Sequence, residues 1–234
     1  MFNNHNNRAS NFWLSISLLA TLYYGLCFYY FVFNQEYIVQ DDTRQHVIWL
    51  QRFIDPELFP HDLIADYFSG LALFGFKSIY LFGAKLGLEP ILLAKLLPPV
   101  LAIITTIYFY LFTLQIFPLP LAGCLSSLLI NQLIWLNDDL VSATPRAFIY
   151  PLFAAFLYYL ARDYIIPCLS LMLLQGLFYP HILLIEMVIF SLRLISLQSN
   201  IISFTNQKKY YIWWIAGFIV TAIALYPMSQ KPPE

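Results

Sequence analysis

Two aspartate doublets, with a few imidazole and basic side chains, are the residues best suited to chemistry in this chain. The first doublet opens Asp41-Asp42-Thr43-Arg44-Gln45-His46 and begins an acid-rich stretch. Glu36, Asp41, Asp42, Asp55, Glu57, Asp62 and Asp66 make up seven of the 13 acidic residues within Glu36–Asp66. Asp42 and His46 are four residues apart, so on a helix they share a face where the carboxylate can orient or charge the imidazole. The second doublet is Asn137-Asp138-Asp139. Carboxylates brought together have their pKa values pushed apart, which yields a base, an acid, or oxygen ligands for a divalent metal. The plain alternative is that both doublets cap and solvate loops, with Asp41 as the N-cap of a surface helix.

The remaining candidates are cations, imidazoles and one buried acid. Arg146, in Ser142-Ala143-Thr144-Pro145-Arg146, either pairs with Asp138 or Asp139 or holds a phosphate bidentately. Lys85 and Lys95 take a lipid phosphate or snorkel to ordinary headgroups. His181, in Tyr179-Pro180-His181, places an imidazole at the end of a broken helix, as catalyst or as structural donor. Glu186 lies deeper in an apolar run, where an ionisable residue is a functional candidate by default. No Gly-x-Ser-x-Gly, His-Glu-x-x-His, Cys-x-x-Cys or phosphate-cradling glycine pattern occurs, so soluble-enzyme templates find no support.

These residues must be positioned by apolar helices. The chain is 60% hydrophobic and 11% charged, against about 25% charged in an average soluble domain. A net charge of −1 without a basic patch excludes nucleic acid, which is held through clustered Lys and Arg. Cys27, Cys124 and Cys168 lie far apart in apolar runs and read as small buried hydrophobes. In lipid the backbone must satisfy itself, so without a barrel's alternation the fold class is all-α, a polytopic transmembrane helix bundle.

The first span is Phe12–Phe33, 22 residues without a charge, where about 20 suffice to cross. It is too long for a signal core and remains as an anchor. Further spans run over Pro90–Phe117, with a kink or late start at Pro98-Pro99, over Leu119–Leu136, and over Ala147–Ala161, closed by Arg162 and Asp163. Ile165–Leu197 is one long helix or two short ones broken at Tyr179-Pro180-His181, and the break is preferred. Tyr210–Tyr226 is the last span. That makes six crossings after the first, or five without the break. Asp41–Asp55 reads as an amphipathic helix lying on the membrane. Ser69–Gly87, with Lys77 and Lys85, reads as an interfacial helix because a lysine at mid-bilayer costs about 2.5–3.5 kcal/mol.

With the break, Arg8, Arg162, Arg193, Lys208 and Lys209 share one side, which the positive-inside rule makes cytoplasmic. Arg44, Arg52, Lys77, Lys85 and Arg146 are exceptions. Both aspartate doublets and His181 then face the opposite compartment. The chain is one integral membrane domain, 1–234: a cytoplasmic tail 1–11, the span 12–33, an extracytoplasmic loop 34–88 with interfacial helices, and further spans over 90–227. Ending at Met228–Glu234 directly after a span, it reads as incomplete at the C-terminus.

One span, a loop opening on an acidic pair with interfacial helices, and a bundle with more acids at the same face resemble the GT-C superfamily of membrane glycosyltransferases. The likeness covers about Phe12–Phe190 and is closest to uncharacterised bacterial members. It rests on Asp41-Asp42-Thr43-Arg44-Gln45-His46, Asp55-Pro56-Glu57-Leu58-Phe59-Pro60-His61-Asp62, Asp138-Asp139 and Pro145-Arg146-Ala147-Phe148. The resemblance implies transfer of a sugar from a polyprenyl-phosphate donor to an acceptor at the extracytoplasmic face of a bacterial plasma membrane, among membrane lipids. Asp41 or Asp42 would be the first-loop base or acceptor-orienting group, and Asp138 or Asp139 the second acidic site. Lys85, Lys95 or Arg146 would stabilise the leaving phosphate. Family members differ in metal use, so a divalent metal stays open. Family members also continue through more spans than this chain has. The competing readings are a non-catalytic membrane subunit or truncated remnant, and a transporter with Glu186 and His181 on its path.

Overall fold

A computed structural model of the protein describes residues 4–34, 39–198 and 201–229. Glu36 lies outside them. In chain order the helices are α1 (Asn4–Phe33), α2 (Asp41–His46), a 3-10 helix (Ile48–Phe53), α3 (Leu63–Leu71), α4 (Phe74–Lys85) and α5 (Pro90–Ile116). They continue as α6 (Pro120–Leu136), the single turn α7 (Asp138–Val141), a 3-10 turn (Pro145–Phe148), α8 (Ile149–Ala161), α9 (Ile165–Phe178), α10 (Ile182–Leu192) and α11 (Lys208–Ser229). Among the described residues three helical stretches are long and apolar enough to cross a membrane: Arg8–Phe33, Pro90–Ile116 and Lys208–Tyr226.

The long helix α5 is packed on by α1, α6 and α8. Lipid offers helices no hydrophobic drive to associate, so small residues and interhelical hydrogen bonds must hold them. Here Thr21 of α1 bonds Thr106 of α5 (2.8 Å), Asn131 of α6 donates to the same Thr106 oxygen (2.8 Å), and Trp135 donates to Asn131 (3.3 Å). Pro98 and Pro99 interrupt neither α5 nor its burial. The helix starts at Pro90, ahead of the pair, so the alternative of a late start does not hold; Pro99 sits against Gly25 of α1, and the Tyr29 hydroxyl donates to the Leu96 carbonyl (3.2 Å). Cys124 and Cys168 are buried as expected, but Cys27 of α1 is exposed.

The preferred break at Tyr179-Pro180-His181 is present and turns α9 and α10 into a helical hairpin. Gln175 of α9 bonds Glu186 of α10, and at the open end Arg193 pairs with Asp163 and donates to the Leu160 carbonyl. Lys209, at the start of α11, joins the same Asp163 (3.1 Å). One end of the bundle therefore collects Arg162, Asp163, Arg193 and Lys209. The start of α1 belongs there too, since Tyr110 of α5 donates to the Ser10 carbonyl (2.8 Å) and Tyr108 meets Tyr158 and Tyr159 next to Arg162. The hairpin tip lies at the other end.

Two departures from the sequence reading stand out. A two-stranded antiparallel hairpin, β1 (Ile195–Gln198) with β2 (Ile201–Phe204), joins α10 to α11 where helix and loop were expected. The stretch Asp41–Asp55 is not one amphipathic helix on lipid. It breaks at Val47 into α2 and a 3-10 helix, because Val47, Trp49 and Leu50 are all buried against α4, α5 and α7. Arg52 fixes the turn that follows, reaching Asp66 (2.7 Å) and the Leu58 carbonyl (3.1 Å), and Asp62 caps α3 through Ile64 and Ala65 (2.9 and 3.0 Å). At 12 residues, α4 is about 18 Å long, too short to cross a ~30 Å core; by the same measure α8, α9 and α10, of 13, 14 and 11 residues, fall short of the full crossings expected of them.

Candidate functional site

Where the loop helices meet the bundle, the two doublets adjoin. The Asp42 amide donates to Asp138 Oδ2 (3.4 Å), and the Ser142 hydroxyl holds the other oxygen of Asp138 (3.0 Å). Gln40, not Asp41, is the N-cap of α2, and its side chain makes no capping bond. The Asp138 carboxylate supplies that function from across the chain, placed against free first-turn amides where an anion is favoured. Thr43, buried in the same turn, donates to the Ser142 carbonyl (3.0 Å), and Tyr80 of α4 to the Ala143 carbonyl (3.0 Å). Three segments distant in sequence are thus tied at one point.

Next to this joint is a cleft of about 260 Å³, slightly smaller than the ~300 Å³ at which ligand pockets begin. Asp42 and His46 of α2, Thr144-Pro145-Arg146 before α8, and Tyr179-Pro180-His181 at the hairpin tip line its polar part. Phe68, Leu71, Ala72, Leu73, Phe76 and Phe178 line the rest. Leu71 also belongs to the outer face of α3, where Leu63, Ile64 and Tyr67 are exposed. The cleft so joins a polar end to an apolar edge that continues onto the protein's outer surface.

Burial raises the pKa of Asp42 above its ordinary 3.8, and the neighbouring Asp138 charge adds to this while His46 opposes it. His46, half-buried with its ring edge-on to Phe68 at 4.9 Å, is pushed below 6.5 by desolvation, against the pull of Asp42. An acid shifted up and an imidazole shifted down sit four residues apart, the kind of pairing that separates proton donor from proton acceptor. Arg146 bonds Asp139 at 3.4 Å with more than half of its side chain exposed, and its guanidinium lies 5.9 Å from the Tyr179 ring centre. So loose an exposed pair contributes about 0–1 kcal/mol, and although Tyr179 also engages the guanidinium, its five donors leave capacity for an anion.

The structure brings Asp42, His46, Arg146 and His181 into one cleft, with Asp138 and Asp139 immediately behind. Asp41 is exposed and does not line it. Neither does Lys85, exposed at the end of α4. Lys95 donates to the Val32 carbonyl (3.1 Å) and lies over the Phe33 ring, satisfying an orphan carbonyl at the end of α1. Sequence reasoning missed Thr144 and Tyr179, whose only signal was closeness to Arg146 and His181, and the floor residues Phe68 and Phe76, which carried no signal. Among the described residues no group of three or more His, Cys, Asp and Glu is arranged so that it could hold a metal ion. The acids here already serve an amide, a hydroxyl and a guanidinium, so this donor set does not by itself form a divalent-metal centre. Comparison with protein-family models, with curated proteins and with solved structures finds no match.

Proposed function

We propose that the protein is a GT-C-type membrane glycosyltransferase, or the N-terminal part of one, that moves a sugar from a polyprenyl-phosphate donor to a hydroxyl acceptor. The supporting observation is the cleft itself. A carboxylate, two imidazoles and a guanidinium from three chain segments meet at one end, and the other end opens onto the apolar outer face of α3. That is the polarity of a lipid-linked phosphosugar, whose head needs cation and base while its tail stays in the bilayer.

In this reading Asp42 takes the proton of the acceptor hydroxyl as that oxygen bonds the anomeric carbon. The bond from that carbon to the phosphate oxygen breaks, and the polyprenyl phosphate leaves with the electron pair. Arg146 and His181 stabilise the departing charge. Burial gives Asp42 a basicity above that of an ordinary aspartate, which suits a general base worth about 10²–10⁴-fold. Asp138 is a positioning residue, fixing the turn that carries Asp42. The end with Arg162, Arg193 and Lys209 faces the cytoplasm of a bacterial plasma membrane, as does the N-terminus, and the cleft faces outward.

Incubating purified protein in lipid with labelled polyprenyl-phosphate sugars and hydroxyl acceptors tests this. Transfer that falls at least a hundredfold in Asp42→Asn, but not in Asp41→Asn, supports it. Absence of transfer from every donor, with an intact fold, favours the non-catalytic subunit instead.

A further inference from the structure

Behind the hairpin tip, α9, α10 and α11 enclose a polar layer that the cleft does not use. Glu186 is fully buried and Gln175 nearly so. The Gln175 amide donates to Glu186 Oε1, yet Gln175 Oε1, Glu186 Oε2 and the buried Thr221 Oγ1 have no hydrogen-bond partner among the described residues. The helix register places all three at one level. Gly217 of α11 packs on Phe190 and Met187 of α10, and Gly176 of α9 packs on Ala224 of α11 and Leu183 of α10. Because α10 and α11 run in opposite directions, one turn from Gly217 reaches Thr221 as one turn back from Phe190 reaches Glu186.

The walls of this layer are apolar: Phe156, Met172, Leu183 and Phe190. None of the ion pairs among the described residues includes Glu186. The titratable groups on the surrounding helices and at their ends are Cys168 with Tyr164 and Tyr179 on α9, Tyr150, Tyr158 and Tyr159 on α8, His181 and Arg193 on α10, and Lys208, Lys209, Tyr210, Tyr211 and Tyr226 on α11. Arg193 and Lys209 are already held by Asp163 at the base, and the Cys168 thiol donates toward the Phe156 carbonyl. An ionised carboxylate here would be buried without a counter-ion, beside an amide oxygen that is also unpaired, which is the costliest state for either group.

We propose that Glu186 is a proton-binding site in the apolar interior. One proton on Oε2, donated to Gln175 Oε1, completes a two-bond acid–amide pair and satisfies both orphan oxygens. That pair clips α9 to α10 immediately below the tip that carries Tyr179 and His181 into the cleft, so loss of the proton loosens the cleft wall. Glu186→Gln keeps both hydrogen bonds as an amide–amide pair and removes the titration. Glu186→Leu orphans Gln175, and Gln175→Leu with Glu186→Leu removes the demand altogether.

Infrared difference spectroscopy of the wild type against Glu186→Gln, in detergent near neutral pH, reads the proton directly. The expected result is a carboxylic-acid carbonyl band that shifts in heavy water and is lost in the variant. Carboxylate bands in its place would overturn the proposal. Melting curves give a second reading. Wild type loses stability more steeply than Glu186→Gln as pH rises, the difference between the two growing with pH, and the double leucine variant recovers what Glu186→Leu loses. A wild-type melting point raised by sodium over potassium, with the rise absent in Glu186→Gln, would replace the proton by a metal cation and overturn the proposal.

Discussion

Gly75 sits where α4 crosses the end of α9, and its replacement by alanine is the sharpest local test of how the cleft is built. A Cβ there would lie 2.7 Å from the Leu177 carbonyl oxygen and 2.8 Å from Leu177 Cβ, while ordinary contact begins at 3.4 Å. The added methyl is thus about 0.7 Å too close to a carbonyl oxygen that cannot swing away as a side-chain tip can. Helix α4 must move off α9, carrying Phe76 away from Phe178 across the cleft. Overpacking of this kind costs about 1–3 kcal/mol, partly offset by alanine's helix preference of up to about 1 kcal/mol. A shift approaching 1 Å in a reacting site can cost about 10²-fold in rate. Gly75→Ala is therefore expected to lower the melting point in detergent and to reduce sugar transfer ten- to a hundredfold. Gly70→Ala on α3, where a Cβ meets nothing within 4 Å, is expected to leave both unchanged or slightly improved. A Gly75→Ala protein as stable and active as the wild type would refute the close packing of α4 on α9.

Other substitutions test other parts of the site. Asp42 has a raised pKa, so the stability it contributes is present below pH 3.8 and is lost as pH rises through its folded value. Asp42→Asn is then expected to melt higher than wild type at neutral pH, with the gain vanishing in acid, while transfer is lost. Wild-type transfer itself is expected to fall on an acid limb lying above pH 3.8. His46 behaves oppositely: its contribution is present above pH 6.5 and is lost as pH falls through its lowered value. Thr43→Val removes the bond to the Ser142 carbonyl and leaves a buried acceptor, for about 1–3 kcal/mol in urea or thermal unfolding. Arg146→Lys is expected to weaken donor binding, seen as a raised KM, because lysine cannot present a bidentate fork. Asp139→Asn is expected to change stability by less than about 1 kcal/mol, since its pair with Arg146 is exposed.

Long uncharged runs made α1, α5, α6 and α11 legible, and proline beside polar residues made the α9–α10 break legible. The 3-10 helix was not, because Val47, Trp49 and Leu50 are buried together by packing on α4, α5 and α7, which no local spacing announces. The β1–β2 hairpin was missed because four-residue strands carry too little alternation to separate from a loop. At the site, residue types alone singled out Asp42, His46, Arg146 and His181 as a candidate set. They did not distinguish Asp41 from Asp42, one residue apart yet on different sides of a helical turn. Nor did they reveal that Lys95 serves the end of α1, since that pairing spans 63 residues.

Side-specific labelling of single cysteines is the most direct test of the shared outward cleft. In sealed, oriented vesicles of a protein whose native cysteines are replaced, an impermeant thiol reagent is applied from one side to cysteines at positions 41, 139, 162 and 208. Positions 41 and 139 are predicted to react from the same face, and 162 and 208 from the opposite one. Labelling of 41 and 139 from different faces would contradict the account.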